Sequence, residues 1–308
     1  MSSKLINYGT EQFGNLKAAL LNRPFNALKR IRENNYSDYL WDTVPDIDSY
    51  LKEHEEYQKL LESLGVKVYL VHEQVKKNKE LLSYLPNLTY MHDTAVVSSK
   101  GAIVSSMSTP ARNAESIVVK EALVNLGIPI FHHFKEDEAF EGCLLISPTT
   151  MLIANTERHS SNVIKQFIPK ALEIFEQVIY VDIPQERRFM HPDMIFNRIT
   201  KNLALYYPPA YKNVLLYTKN GHKIIDFKRH MENNQVELVP MNTREQQYWG
   251  SSFVPIAPGK IVHYDFALNK DTRNYLKQRG VEIINFHPEN LLAGGGSLRC
   301  LTLRLYRE

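Results

Sequence analysis

Cysteine is scarce in this 308-residue chain: only Cys143 and Cys300 are present, and no Cys-x-x-Cys spacing occurs. A disulfide framework and a thiolate metal site are thereby excluded, and a reducing compartment is expected. Long apolar runs are missing too. The longest unbroken one, Leu203 to Tyr207, falls far short of the ~20 residues a membrane-spanning helix needs, and Met1 to Asn15 lacks the apolar stretch of a signal peptide. The expectation is a soluble, cytoplasmic protein without a membrane partner. An excess of one charge is equally absent. Lys and Arg number 37 against 34 Asp and Glu, and the positive residues are dispersed, with Lys76, Lys77 and Lys79 reading as a solvated turn. Nucleic acid is therefore not an expected partner. No Ser/Gly/Pro-rich linker divides the chain, so residues 1–308 are read as a single domain, with a homo-oligomer left open.

What is present is an ordinary globular mixture, 44% hydrophobic and 23% charged, enough to fill a sizeable core. A pattern recurs along it. Leu60, Leu61 and Leu64 close an amphipathic helix, Gly65 stands where a left-handed cap is needed, and Val66 to Val71 reads as a buried strand. Leu123 and Leu126 lead in the same way to Gly127 and Ile128 to Phe131, and Tyr275 and Leu276 lead to Gly280 and Val281 to Phe286. Weaker copies cover Phe175 to Ile183 and Asn233 to Met241. Hairpin-like segments lie between them: Ala95 to Ser106, Leu144 to Asn155 and Phe253 to Tyr264. About five α/β units result, which can close radially with helices outside and strand ends at a central cavity, or lie open as one sheet.

Four short segments carry chemistry. Gly294-Gly295-Gly296 precedes Cys300 and is read as a flexible turn that delivers a thiol to the start of the last strand, with backbone free to approach a ligand. Arg299 is expected on the opposite face. Met190-His191-Pro192-Asp193 is read as extended, which puts an imidazole and a carboxylate on one face. Glu141-Gly142 stands at a strand entrance and His92-Asp93-Thr94 before a hairpin. Cys143 reads as core, His132-His133 as a strand end rather than a metal site, and Glu53, Glu56 and Lys59 as a solvated helix face.

In chain order these segments, with Leu40 to Pro45, Thr109 to Arg112, Glu157-Arg158, Ile256 to Gly259 and Gly294 to Thr302, resemble arginine deiminases. The wider likeness is to the guanidine-modifying (pentein) superfamily, which includes dimethylarginine hydrolases and amidinotransferases. The resemblance implies a five-unit pseudo-symmetric α/β propeller with its active site at the central cavity. It also implies Cys300 as nucleophile, His191 as acid and base, Glu141, Asp93 and Asp193 as carboxylates for a guanidinium, and Arg112 and Arg158 as the readers of a substrate carboxylate. The implied reaction is Cys-dependent hydrolysis of a guanidino C–N bond through a covalent thiol adduct, with no cofactor and no metal. Amidino transfer to an amine shares every core residue, and a non-catalytic guanidino binder is the third reading. The sequence departs from the deiminase pattern where His92 replaces an arginine, Leu144 an aspartate, Pro192 a leucine and Gly295 a loop arginine. These departures leave the core chemistry and alter the clamp on the amino-acid end of the substrate.

Overall fold

The computed structural model describes residues 4–308, and its strands form five sheets in a mixed α/β fold. Each sheet is built from the same local sequence: two antiparallel strands, a helix, then a strand parallel to the second. Ala95–Ser98 and Gly101–Val104 pair in this way, and helix Glu115–Asn125 leads to Ile130–His133. Leu144–Ser147 and Thr150–Asn155 are followed by Ser161–Ala171 and Gln177–Asp182, and Val254–Ala257 and Lys260–Tyr264 by Lys270–Gln278 and Glu282–Phe286. A fourth sheet joins Phe196–Thr200, Leu203–Tyr206 and Glu237–Pro240. In the fifth the two ends of the chain meet: Leu16–Leu21 runs antiparallel to Leu303–Arg307 and parallel to Lys67–Leu70.

Local chemistry sets these boundaries. Asp46 caps helix Ile47–Ser63 by accepting from the Ser49 N–H, and Asn269 does the same through Thr272 for Lys270–Gln278. The glycines expected as caps, Gly65, Gly127 and Gly280, have φ of +81°, +88° and +75°. In a weaker copy of the repeat, Gln235 takes the same left-handed position at φ +60°.

The structure departs from the sequence reading at four places. The hairpin Phe196–Tyr206 had no clear signal, nor did the pair Asn213–Thr218 and Gly221–Ile224, which extends the sheet beyond Gln177–Asp182. Pro192–Met194 is one turn of 3₁₀ helix rather than extended chain, because proline suits the first helical position as well as it does extended backbone. The last strand begins at Leu303, so Cys300 sits in the turn before it. Glu53 is buried rather than solvated. Cys143 packs beside Phe134, Phe140 and Met151, in the core as expected.

Candidate active site

The sequence brings five of the seven expected residues to one cavity of about 490 Å³, lined by Asp93, Arg112, Arg158, His191 and Cys300 together with Tyr90 and Gly294 to Gly296. Glu141 and Asp193 stand behind this lining. The Cys300 thiol is held by a short turn, with Ser297 Oγ 3.4 Å from both its Sγ and its N–H. The His92 N–H donates to the Cys300 carbonyl at 2.9 Å, which ties the thiol turn to the segment that carries Asp93.

Close packing requires two of the three glycines. A Cβ on Gly294 or Gly296 would overlap the Tyr90 ring, so the loop lies flat against this aromatic residue while its backbone lines the cavity. Glu53 anchors the preceding turn: its carboxylate accepts from the N–H groups of Glu289, Asn290 and Leu291 and from Asn290 Nδ2, at 2.7–3.1 Å. A carboxylate on an otherwise charged helix face gave no sign of this.

Glu141, 1% exposed, orients the imidazole. One oxygen accepts from the Ser108 N–H and hydroxyl at 2.8 and 2.7 Å, and the other lies 3.0 Å from His191 Nε2. Asp93 Oδ2 is 3.5 Å from the same nitrogen. Burial disfavours a charged imidazole. The Glu141 hydrogen bond and the negative charges of Asp93, Glu141 and Asp193 outweigh it, so the His191 pKa lies above its ordinary value. Burial also opposes charge on Glu141. His191, Arg112 and Arg158 more than offset this and hold its carboxyl well below the usual range.

Asp193 is 1% exposed and accepts from Ser252 Oγ at 2.9 Å through Oδ2, while its Oδ1 is buried without a partner. Arg299 was expected to face away. The turn instead carries its Nε to 3.6 Å from Asp193 Oδ2 and lets it donate to His92 Nε2 at 3.2 Å. His92 must then be a neutral acceptor, and burial followed by the Arg299 charge holds its pKa well below the ordinary value. The thiol is pushed up to about 12, first by burial and next by the Asp193 charge, against the lowering effect of Ser297.

The two arginines differ. Arg112 is committed: it is bidentate to Asp93 and shares Nε and Nη2 with Glu115. Arg158 bonds Glu157 and Thr109 at 3.1 Å. A third cavity arginine, Arg187, was missed by sequence reasoning because a surface Arg-Arg pair has no distinguishing signal. It donates to the Leu40 carbonyl and to Asp42. Asp42 lies against Gly295, one of the expected departures from the deiminase pattern. Leu144, another departure from that pattern, sits in the hydrophobic core beside Leu152 and Ile179.

Asp93, Glu141 and His191 offer ligand atoms within 4.8 Å of one another, a geometry able to hold a cation. Two hard oxygens and an imidazole suit a divalent metal. Planar carboxylates beside a thiol equally suit an organic cation with N–H donors.

Comparison with known proteins points to one family. The chain is 29% identical to the arginine deiminase of Listeria welshimeri over 323 residues, covering 91% of this chain and 78% of that one. Its fold matches the N-terminal domain of ArgZ, an arginine dihydrolase from the ornithine–ammonia cycle in cyanobacteria, with TM-score 0.71 and 16% identity over 94% of this chain and 97% of that one. Unliganded AgrE matches with TM-score 0.71 and 16% identity over 97% of this chain, which spans only 40% of the AgrE chain. The sequence model of the arginine deiminase family matches residues 70–307. This chain therefore belongs to the arginine deiminase family.

Proposed function

We propose that the protein is a Cys300-dependent hydrolase of a guanidino C–N bond in arginine or an arginine-like compound. The observation that carries this reading is the orphaned Asp193 Oδ1, a buried carboxylate oxygen without a donor, close enough to Cys300 to raise its pKa. Buried acceptors of this kind are paired in folded proteins, and a substrate N–H supplies the donor. The relatives named above and the ordered match of the site residues support the same chemistry.

A flat guanidinium held between Asp193 and Asp93 brings positive charge beside the sulfur. That charge counters the two carboxylates, so the thiol loses its proton to solvent in the complex rather than in the free protein. The thiolate attacks the guanidinium carbon, and a neutral tetrahedral adduct forms. His191, held as imidazolium, protonates one nitrogen, which leaves as ammonia or an amine and gives an S-amidino intermediate. The now neutral His191 takes a proton from attacking water. The second tetrahedral adduct gives its hydroxyl proton to solvent as it collapses to a ureido product and expels the Cys300 thiolate. Glu141 orients His191 throughout. Arg112 keeps its contact with Glu115 when substrate draws on Asp93, and Arg158 and Arg187 at the cavity mouth face the substrate's carboxylate end.

The same reading takes residues 1–308 as one domain whose five sheets close around a central axis, helices outward. Intact-mass analysis after incubation with a panel of guanidino compounds tests the function. A transient adduct on wild type with release of a ureido product is expected. Cys300→Ser binds the same compound without an adduct, and ligand bound by both proteins with neither adduct nor turnover overturns the hydrolase reading.

A further inference from the structure

A second cavity, of about 470 Å³, is lined by four arginines: Arg198, Arg299, Arg304 and Arg307. Two of them lie on the last strand, whose pairing in the terminal sheet is irregular. In strand Leu303–Arg307 an extra residue, Leu305, lies between the pairs Tyr306–Ala18 and Arg304–Ala19. A bulge of this kind re-aims side chains, and Arg304 and Arg307, three residues apart on this strand, both line the cavity.

The positive charge is poorly balanced. Arg307, 5% exposed, donates only to carbonyls, those of Gly14 and Pro255. Arg198 bonds the carbonyls of Thr200 and Lys201. Arg304 Nε is buried and has no partner. Glu11 is the one carboxylate on the cavity wall, and both its oxygens accept from the Ser99 N–H. Among the described residues, Asp193 alone comes within ion-pair distance of any of the four, and it reaches Arg299 from the other side. Burial, followed for Arg304 by the charges of Arg299 and Arg307, pulls the arginine pKa values down, to about 10 for Arg198 and Arg307. Burying cations without counter-charge is costly; Arg299 and Arg307 are buried and Arg198 and Arg304 part-exposed, and an anion among the four would lower that cost.

We propose that this cavity is an anion site, separate from the Cys300 cavity, that takes a phosphoryl group, either inorganic phosphate or the phosphate of a larger ester. Guanidinium forks and an orphaned N–H match the tetrahedral oxygens of such a group. The inference does not depend on the hydrolase reading and is tested without substrate.

Calorimetric titration with sodium phosphate, and separately with adenosine monophosphate, is run against sodium chloride at equal ionic strength. Saturable binding near one equivalent is expected, weakened at least tenfold in Arg304→Met. In chloride alone Arg304→Met melts at or above wild type, since it removes a positive charge that has no carboxylate within ion-pair distance and whose Nε is buried without a partner. Tighter binding of the nucleotide assigns an ester, and binding of phosphate alone assigns the inorganic ion. Absence of saturable binding by both, or binding unchanged in Arg304→Met, overturns the proposal. Should Arg304→Met fail to fold, Arg198→Met at the more exposed wall must show the same tenfold loss.

Discussion

Arg112 grips both oxygens of Asp93, Nη1 to Oδ2 at 2.6 Å and Nη2 to Oδ1 at 3.0 Å, inside the cavity that also holds Cys300. The protein's own guanidinium thus occupies a carboxylate that the proposed chemistry offers to a substrate guanidinium. Glu115 takes the remaining Arg112 donors. Burial, only partly countered by Arg112, raises Glu115 to about 8. Replacing Arg112 with Met strips Asp93 of its bidentate partner and leaves it buried with His191 alone at 3.5 Å. A loss of about 3–5 kcal/mol in denaturant unfolding is expected, and a loss below 1 kcal/mol would show that the pair is dispensable. Lysine at this position keeps the charge but cannot span two carboxylates, so Arg112→Lys falls between.

The raised pKa of His191 has a sign that can be checked. A group whose pKa is raised keeps its proton as pH increases past the ordinary value, so the acid needed to expel the leaving amine persists until pH passes that raised pKa. Activity should therefore fall on the alkaline side as His191 deprotonates. Glu141→Gln retains an oxygen facing Nε2 and removes the charge. The alkaline limb of kcat/KM should move down by roughly one pH unit, and an unmoved limb would assign that limb to another group.

Much of this was legible in the chain, for identifiable reasons. Helix, glycine cap and strand follow one another locally, and so Gly65, Gly127 and Gly280 marked three of the five sheets. The chemistry-bearing residues were legible as an ordered set. Their couplings were not, because they join residues remote in sequence: Arg112 to Asp93, Glu141 to His191, Glu53 to the turn at Asn290. Strand periodicity misplaced Arg299, since Cys300 lies in a turn where alternation of faces does not hold. The bulge at Leu305 was invisible for the converse reason: a register shift depends on the partner strand, which lies at the other end of the chain.

Asp193 is expected to slow the thiol and serve the substrate at once. Its charge is the second cause, after burial, of the high Cys300 pKa. Asp193→Asn should raise the rate of Cys300 alkylation by iodoacetamide at pH 8 by about tenfold, as a one-unit fall in thiol pKa would give, while abolishing turnover. Cys143, also pushed to about 12 by burial and 2% exposed, should react more slowly than Cys300 in both proteins. Peptide mapping of alkylated sites over time measures all four rates, and equal Cys300 rates in the two proteins would remove Asp193 from the thiol's surroundings.

Glu53 lies in a helix remote in sequence from Cys300, yet it holds the loop that leads to it. Four donors from Glu289, Asn290 and Leu291 converge on its two oxygens, and Gly294 to Gly296 follow at once, pressed on Tyr90. Glu53→Ala strands three backbone N–H groups at the start of that loop. A stability loss of about 1–3 kcal/mol is expected from the unmet donors. Loosening the loop also displaces the thiol relative to His191, so kcat should fall more than KM rises, because Arg158, proposed to face the substrate's carboxylate end, bonds Glu157 and Thr109 away from this loop. Glu53→Gln keeps one acceptor oxygen and should recover part of both losses. Unfolding curves and steady-state kinetics on the two variants decide the point. A Glu53→Ala protein that loses stability with kcat intact would confine Glu53 to folding and free the Cys300 turn from its control.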